Sequence, residues 1–179
     1  MARDADVIVV GAGPAGASTA HYLALTGLDV LVLEKATFPR DKICGDGLTP
    51  RAVAELIRMG VDTSGWARNY GLRTYGGGHC VEVPWPELQS MPNYGLAASR
   101  MVLDEALIRH AQRSGAHLLE GITVTGAIRH PRTNRIIGVT ARESGTKEVR
   151  EYRAQYVVDA GGVSARLATS VGREKKFNR

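Results

Sequence analysis

Cysteine, aromatic residues and long apolar runs are all scarce in this chain, and each scarcity removes a class of explanation. Cys44 and Cys80 are the only cysteines and lie far apart, which excludes a disulfide scaffold and fits a reducing cytoplasm. No Cys/His grouping has metal-ligand spacing, so a structural metal site is not expected. Aromatics make up 6% of the residues, and no basic block is interleaved with them. Nucleic acid is therefore not expected as a partner, despite a net charge of +5. No apolar run approaches the length needed to span a bilayer. Arg3, Asp4 and Asp6 precede only a four-residue apolar run, which is not a secretory signal. Internal repeats and low-complexity tracts are missing. The positive excess is partly local, with Arg166, Arg173, Lys175, Lys176 and Arg179 crowding the C-terminus. This reads first as a solvated tail and second as a contact for an anionic membrane surface.

What is present is a chain of 179 residues, 44% hydrophobic, enough for one sizeable core and one domain. Its most informative stretch is 7–34. A β-branched run (Val7, Ile8, Val9, Val10) stops at Gly11-Ala12-Gly13-Pro14-Ala15-Gly16, a helical stretch follows to Thr26, and Gly27 breaks it. A second apolar strand, Val30–Leu33, ends in Glu34. This strand–turn–helix–strand unit binds the ADP half of a dinucleotide. Gly11 permits the tight turn, Gly13 lets the backbone approach a pyrophosphate, and Gly16 lets the helix pack closely. The helix N-terminus offers free N–H groups and a partial positive charge to phosphates. Glu34, eighteen positions after Gly16, is placed to accept hydrogen bonds from ribose hydroxyls. It would repel a 2′-phosphate, so FAD or NAD is expected over NADP. A glycine turn that binds nothing is the bland alternative, and the strand, helix and acid occurring together weigh against it.

Further along, Lys35–Leu48 reads as a charged, glycine-rich loop. A helix follows with Thr49 as N-cap, Pro50 in the first turn, an apolar side of Ala52, Val53, Leu56, Ile57 and Met59, and Gly60 as its end. Residues 61–98 look irregular, with strand-like pieces at Leu72–Tyr75 and Cys80–Val83, and are read as an excursion from the main sheet. Cys80 is assigned to packing. Trp66, Tyr70, Tyr75 and Trp85 could line a lipid pocket, although ordinary core is the commoner role for such a cluster. Ser99 caps a helix to about Arg113, with Leu103, Ala106, Leu107 and Ala111 as its buried stripe. His117–Leu119 is a strand, Thr123–Ala154 a β-meander, and Tyr156–Val158 a third parallel strand leading into Asp159-Ala160-Gly161-Gly162. No histidine has a partner at catalytic spacing.

The fold class expected is therefore α/β: a Rossmann-like FAD-binding domain with a parallel sheet and a β-meander, incomplete at the C-terminus. Residues 1–179 form that domain, with 61–98 as the excursion toward a largely missing substrate domain.

The peptide Phe38-Pro39-Arg40-Asp41-Lys42-Ile43-Cys44-Gly45-Asp46-Gly47-Leu48-Thr49-Pro50 adds specificity. Together with the opening unit, Arg100 in Ser99-Arg100-Met101-Val102-Leu103-Asp104, and the Asp159 stretch, it resembles the geranylgeranyl reductase family. These are FAD-dependent enzymes related in fold to the aromatic hydroxylases. The resemblance implies reduction of isoprenoid double bonds in prenyl lipids, quinones or chlorophyll precursors. The flavin would be charged by NAD(P)H or another electron donor. It also implies that Gly11, Ala12, Gly13, Pro14, Ala15 and Gly16 hold the pyrophosphate, that Glu34 holds the ribose, and that Lys35 beside it contacts the cofactor. Arg100 would approach the cofactor phosphates, Val124 the adenine, Cys44 and Gly45 the isoalloxazine, and Asp159 the cofactor from the third-strand turn. A backbone N–H or a cation such as Lys42 near the flavin would stabilise the anionic reduced ring. Cys44 is the candidate catalytic residue, as a proton donor, with shaping of the pocket as its bland alternative. Peripheral contact at the inner membrane face follows from a lipid substrate.

Two departures qualify this. The segment Asp159-Ala160-Gly161-Gly162-Val163-Ser164-Ala165-Arg166 is closer to an Asp-Ala-Thr-Gly turn than to the Asp-Gly of many relatives. No second Gly-Asp cofactor motif occurs, so the chain is expected to be the N-terminal part of an enzyme. The rival expectations are a flavin monooxygenase or halogenase of the same fold, and a non-catalytic FAD-binding fragment.

Overall fold

The computed structural model describes residues 3–146 and 148–172. The tail residues Arg173, Lys175, Lys176 and Arg179 lie outside the described residues, while Arg166 is exposed. The chain divides into two compact units, residues 1–40 with 107–179, and residues 41–106.

The first unit is built on a six-stranded sheet. Strand β1 (Ala5–Val10) leads through the glycine turn to α1 (Pro14–Leu25) and on to β2 (Val30–Leu33). β1 pairs in parallel with β2 and, on its other side, with the C-terminal strand, while β2 pairs in parallel with β8 (His117–Leu119). Every residue of β2 is buried, as are Val7, Ile8 and Val9. Continuous apolar strands of this kind belong in a parallel sheet covered on both faces. Each such side chain contributes about 1.5–3 kcal/mol through burial.

The meander joins the same sheet through β9 (Ile122–Arg129), β10 (Ile136–Glu143) and β11 (Val149–Asp159), giving the order β8-β2-β1-β11-β10-β9. Its turns fall at 131–133 and 144–145, where Pro131–Asn134 and Ser144–Gly145 predict them. The last meander strand and the third parallel strand are a single strand, β11. Its first half runs antiparallel to β10 (Gly138↔Arg153 to Arg142↔Val149), and its second half parallel to β1 (Ala5↔Ala154 to Val10↔Asp159). No glycine or proline interrupts 149–159, so nothing in the backbone forces a break. A short 3₁₀ turn (Gly162–Ser164) and α4 (Arg166–Ser170) follow.

The second unit contains α2 (Pro50–Met59), a three-stranded sheet in the order β3-β7-β4, and a two-stranded ribbon. The sheet strands are β3 (Gly47–Leu48), β4 (Ala67–Asn69) and β7 (Gly95–Ala97). The ribbon is β5 (Gly71–Gly76) against β6 (His79–Pro84). The region 61–98 is thus more regular than its composition suggests. α2 buries Pro50, Val53, Leu56 and Met59 and ends at left-handed Gly60, but Ile57 is exposed and the Thr49 side chain makes no cap bond. Cys80 is exposed on the ribbon rather than packed, and Tyr70 and Tyr75 are exposed too. Among the described residues no second layer covers the face of the ribbon that carries Tyr75 and Cys80. Helix α3 (Arg100–Arg113) starts in this unit and ends in the first. It buries Leu103, Leu107 and Ala111 as the spacing predicts, leaves Ala106 only half-buried, and also buries Ile108 and Asp104.

Candidate functional site

In the first unit the glycine turn and Glu34 form one structure. Gly11 has φ +97°, and a Cβ there would lie 2.7 Å from the Ala160 carbonyl oxygen, so only glycine fits. A Cβ on Gly16 would come within 1.8 Å of the Gly11 carbonyl oxygen and 3.3 Å of Ala160 Cβ. Gly16 therefore seats α1 against its own turn and against the turn after β11. Gly13 differs. It is the N-cap of α1, with extended φ −72° and ψ −177°, and a Cβ there would meet only Arg40 Nη2, at 3.7 Å. The glycine at this position is not demanded by the protein's own packing. It leaves a cradle in front of the helix N-terminus that a side chain would fill.

Pro14 occupies the first turn of α1, where no N–H is required of it. Ala15 follows, and the first turn has no acidic residue to oppose an anion. Glu34 is buried at the tip of β2. Its Oε2 accepts the Ala12 N–H at 2.7 Å, its Oε1 accepts the Ala36 N–H at 3.1 Å, and the Arg40 Nε stands 3.9 Å away. The carboxylate thus ties the second strand to the glycine turn while keeping lone pairs for further donors. Lys35 beside it is exposed. The β9 strand starts next to Glu34, with Ile122 N–H donating to the Glu34 carbonyl at 2.8 Å, and this brings Val124, two residues on, into the same neighbourhood. Val124 is partly buried against the core and paired with Ala141.

Asp159 ends β11 beside Val10. Its Oδ1 accepts the Gly161 N–H at 3.0 Å and its Oδ2 accepts the Ala168 N–H at 2.9 Å. The side chain shapes the 160–168 turn, the same turn on which Gly11 and Gly16 close.

In the second unit, Arg100 is buried in the first turn of α3. Its Nε and Nη2 donate to Asp104 Oδ1 and Oδ2 at 2.8 and 2.7 Å, a bidentate pair one helical turn apart with Asp104 wholly buried. The hydrogen bond to Asp104 raises the Arg100 pKa most. Burial opposes that rise, and the charge of Asp104 and the neighbouring Cys44 side chain add to it. Cys44 and Gly45 lie on an exposed, irregular loop. The structure thus brings Gly11–Gly16, Glu34, Val124 and Asp159 together within the first unit and Cys44 with Arg100 within the second.

Two residues escape the motif reading. Asp104 carries a legible signal, since an arginine and an aspartate four apart share a helix face. Arg40 carries none, because only the fold of 34–40 sets it beside Glu34.

These residues fit a dinucleotide: a cradle that a Cβ would fill, a helix N-terminus facing it, and a buried carboxylate beneath. Comparison with known proteins agrees. The profile of the FAD binding domain family matches residues 4–178. The chain is 44% identical over 171 residues to the menaquinone reductase of Mycobacterium tuberculosis (strain ATCC 25618 / H37Rv), covering 94% of this chain and 40% of that protein. It is 33% identical over 177 residues to digeranylgeranylglycerophospholipid reductase 1 of Methanopyrus kandleri, covering 93% and 42% respectively. Among solved structures, the FAD-dependent myxobacterial chondrochloren halogenase CndH superimposes with a TM-score of 0.81 at 25% identity, over 93% of this chain and 39% of the halogenase. The chain spans about two fifths of the length of the curated relatives it matches.

Proposed function

This chain belongs to the FAD binding domain family, and from that premise we propose that it is the cofactor-holding part of a reductase that saturates an isoprenoid double bond of a prenylated quinone or lipid. The observation that carries the reading is the 44% identity with a menaquinone reductase along 94% of this chain. The match to a digeranylgeranylglycerophospholipid reductase supports the same substrate class.

The cofactor is FAD, which when bound supplies two-electron hydride chemistry. The chain's own residues bind and orient it. The N–H groups at the start of α1 receive the diphosphate, and Gly13 leaves them accessible. Glu34, held by the Ala12 and Ala36 N–H groups, accepts from the adenosine ribose hydroxyls and disfavours a 2′-phosphate. Val124 serves the adenine through its strand backbone. Asp159 acts through the turn it shapes rather than through a free carboxylate. Arg100, fixed by Asp104, is assigned to the cofactor phosphates, and Cys44 and Gly45 to the isoalloxazine edge, with Cys44 as a proton donor. NAD(P)H or another reductant is the proposed electron source. Contact with a membrane surface belongs to the same proposal and follows from a lipid substrate alone; no helix among the described residues is long and apolar enough to cross a membrane.

The likeness to CndH favours one second reading, an oxygen-activating halogenase or monooxygenase. Product analysis separates the two. Full-length protein supplied with FAD, NAD(P)H or dithionite and a menaquinone is expected to return, after reoxidation of the head group to the quinone, a product heavier by two hydrogens in its prenyl chain. A product that has gained oxygen or halide overturns the reductase reading.

A further inference from the structure

Sequence spacing gives no role to Arg40, yet the fold of the first unit sets it over the glycine turn. Its side chain is only 13% exposed. Nε stands 3.9 Å from Glu34 Oε1, and the guanidinium carbon lies 5.2 Å from the centroid of the buried Phe38 ring. Nη2 is the one atom that a Cβ on Gly13 would meet, at 3.7 Å. One planar cation therefore neighbours both the acid beneath the site and the residue that caps α1.

The charge balance of the site gives this placement a purpose. A dinucleotide brings two negative charges to a site whose own buried side chain, Glu34, is already an anion. The first turn of α1 carries no charged side chain, and a helix N-terminus contributes only about half a positive charge. Arg40 adds a whole one. Its side chain is largely buried beside the Phe38 ring and Glu34, so less rotamer freedom is lost on binding than by an exposed arginine. Two Nη groups, each with two donors, suit the oxygens of a diphosphate.

We propose that Arg40 is a diphosphate-binding residue of this site, reaching the anion beside the N-cap of α1. The inference rests on the reading that the glycine turn receives the FAD diphosphate, and it adds a contact that the turn and Glu34 do not supply.

The test compares FAD, ADP and adenosine binding by calorimetry, using the full chain and the variants Arg40→Met and Arg40→Gln. Methionine keeps an apolar stem against Phe38, and glutamine guards against a folding failure of the first variant. Wild-type protein is expected to bind ADP more tightly than adenosine. Each variant should weaken ADP and FAD by about tenfold or more, the worth of one charge-assisted bond, and shift adenosine by less than about twofold. Unchanged ADP affinity overturns the inference. Equal losses for ADP and adenosine also overturn it, because Arg40 would then act only through Glu34 on the ribose. Wild-type protein that binds neither FAD nor ADP overturns the cofactor reading itself.

Discussion

Gly13 and Gly16 belong to one motif but have different surroundings, and replacing each by alanine separates a packing role from the proposed ligand-binding one. A Cβ at position 16 would lie 1.8 Å from the Gly11 carbonyl oxygen and 2.9 Å from its carbon. Backbone on both sides cannot yield, so α1 must lift from the turn. A cost of about 4 kcal/mol is appropriate for such an overlap, against a total stability of about 5–15 kcal/mol. At about 2–4 °C per kcal/mol for a chain of this size, melting should fall by about 8–16 °C. At position 13 the backbone is extended and the nearest atom is Arg40 Nη2 at 3.7 Å, an ordinary contact. Alanine there costs only a weaker helix cap, about 0.5–1 kcal/mol. It does, however, put a methyl group where a diphosphate would approach the helix N–H groups. Loss of one charge-assisted bond, about 1.5–3 kcal/mol, weakens FAD binding about 10- to 150-fold. Thermal melting without ligand and FAD titration by quenching of flavin fluorescence measure the two effects. Gly13→Ala protein that binds FAD as well as wild type, or Gly16→Ala protein that melts with wild type, would refute the reasoning.

Three further predictions follow from the same geometry. Glu34→Ala should lower FAD affinity and also cost about 1–3 kcal/mol, because the Ala12 N–H loses its buried acceptor; Glu34→Gln should keep more of the stability than of the affinity, and equal losses in both variants would contradict the ribose role. Asp104→Asn leaves the Arg100 guanidinium buried without its anion and should cost about 3–5 kcal/mol in chemical denaturation; the paired change Arg100→Met with Asp104→Leu should recover much of that stability without recovering FAD affinity. His21 is buried on α1, with Nδ1 2.7 Å from Ser114 Oγ and its ring 4.7 Å from His110 and 4.9 Å from Tyr22. Burial first, and the His110 charge second, lower its pKa below 6.5. The unfolded chain therefore takes up this proton at higher pH than the folded one, so stability is full above 6.5 and is lost as pH falls through the lowered native value. Unfolding free energies between pH 8 and 5 should show this loss, and His21→Gln should reduce the slope; an unchanged slope would remove His21 as its source.

The parts of the fold legible in the sequence are those fixed by neighbours along the chain. The first βαβ unit shows as a β-branched run, a glycine turn, a helix and an acid at set distance, and all four fall where the spacing places them. The Leu103, Leu107 and Ala111 stripe of α3 is equally local. The continuous β11 was not legible, because one strand serving two partners of opposite direction leaves no periodic mark. Cys80, Tyr70 and Tyr75 read as packed or core-like by residue type, but their burial depends on whether a second layer covers their ribbon. Within the site, spacing alone marks Gly11, Gly13, Gly16 and Glu34 as candidates, and the fold gathers them around one turn. Asp104 was visible as a charge but not as the anchor of Arg100. Arg40 stayed hidden because its place is set by how residues 34–40 turn back over Gly13, which no residue spacing encodes.

The most direct test of the account is an experimental structure of the full-length protein with FAD. Diphosphate oxygens are expected within hydrogen-bond reach of the N–H groups that open α1, with ribose hydroxyls donating to Glu34. A flavin nucleotide seated away from the Gly11–Gly16 turn, or a Glu34 carboxylate that touches no part of it, would contradict the central claim.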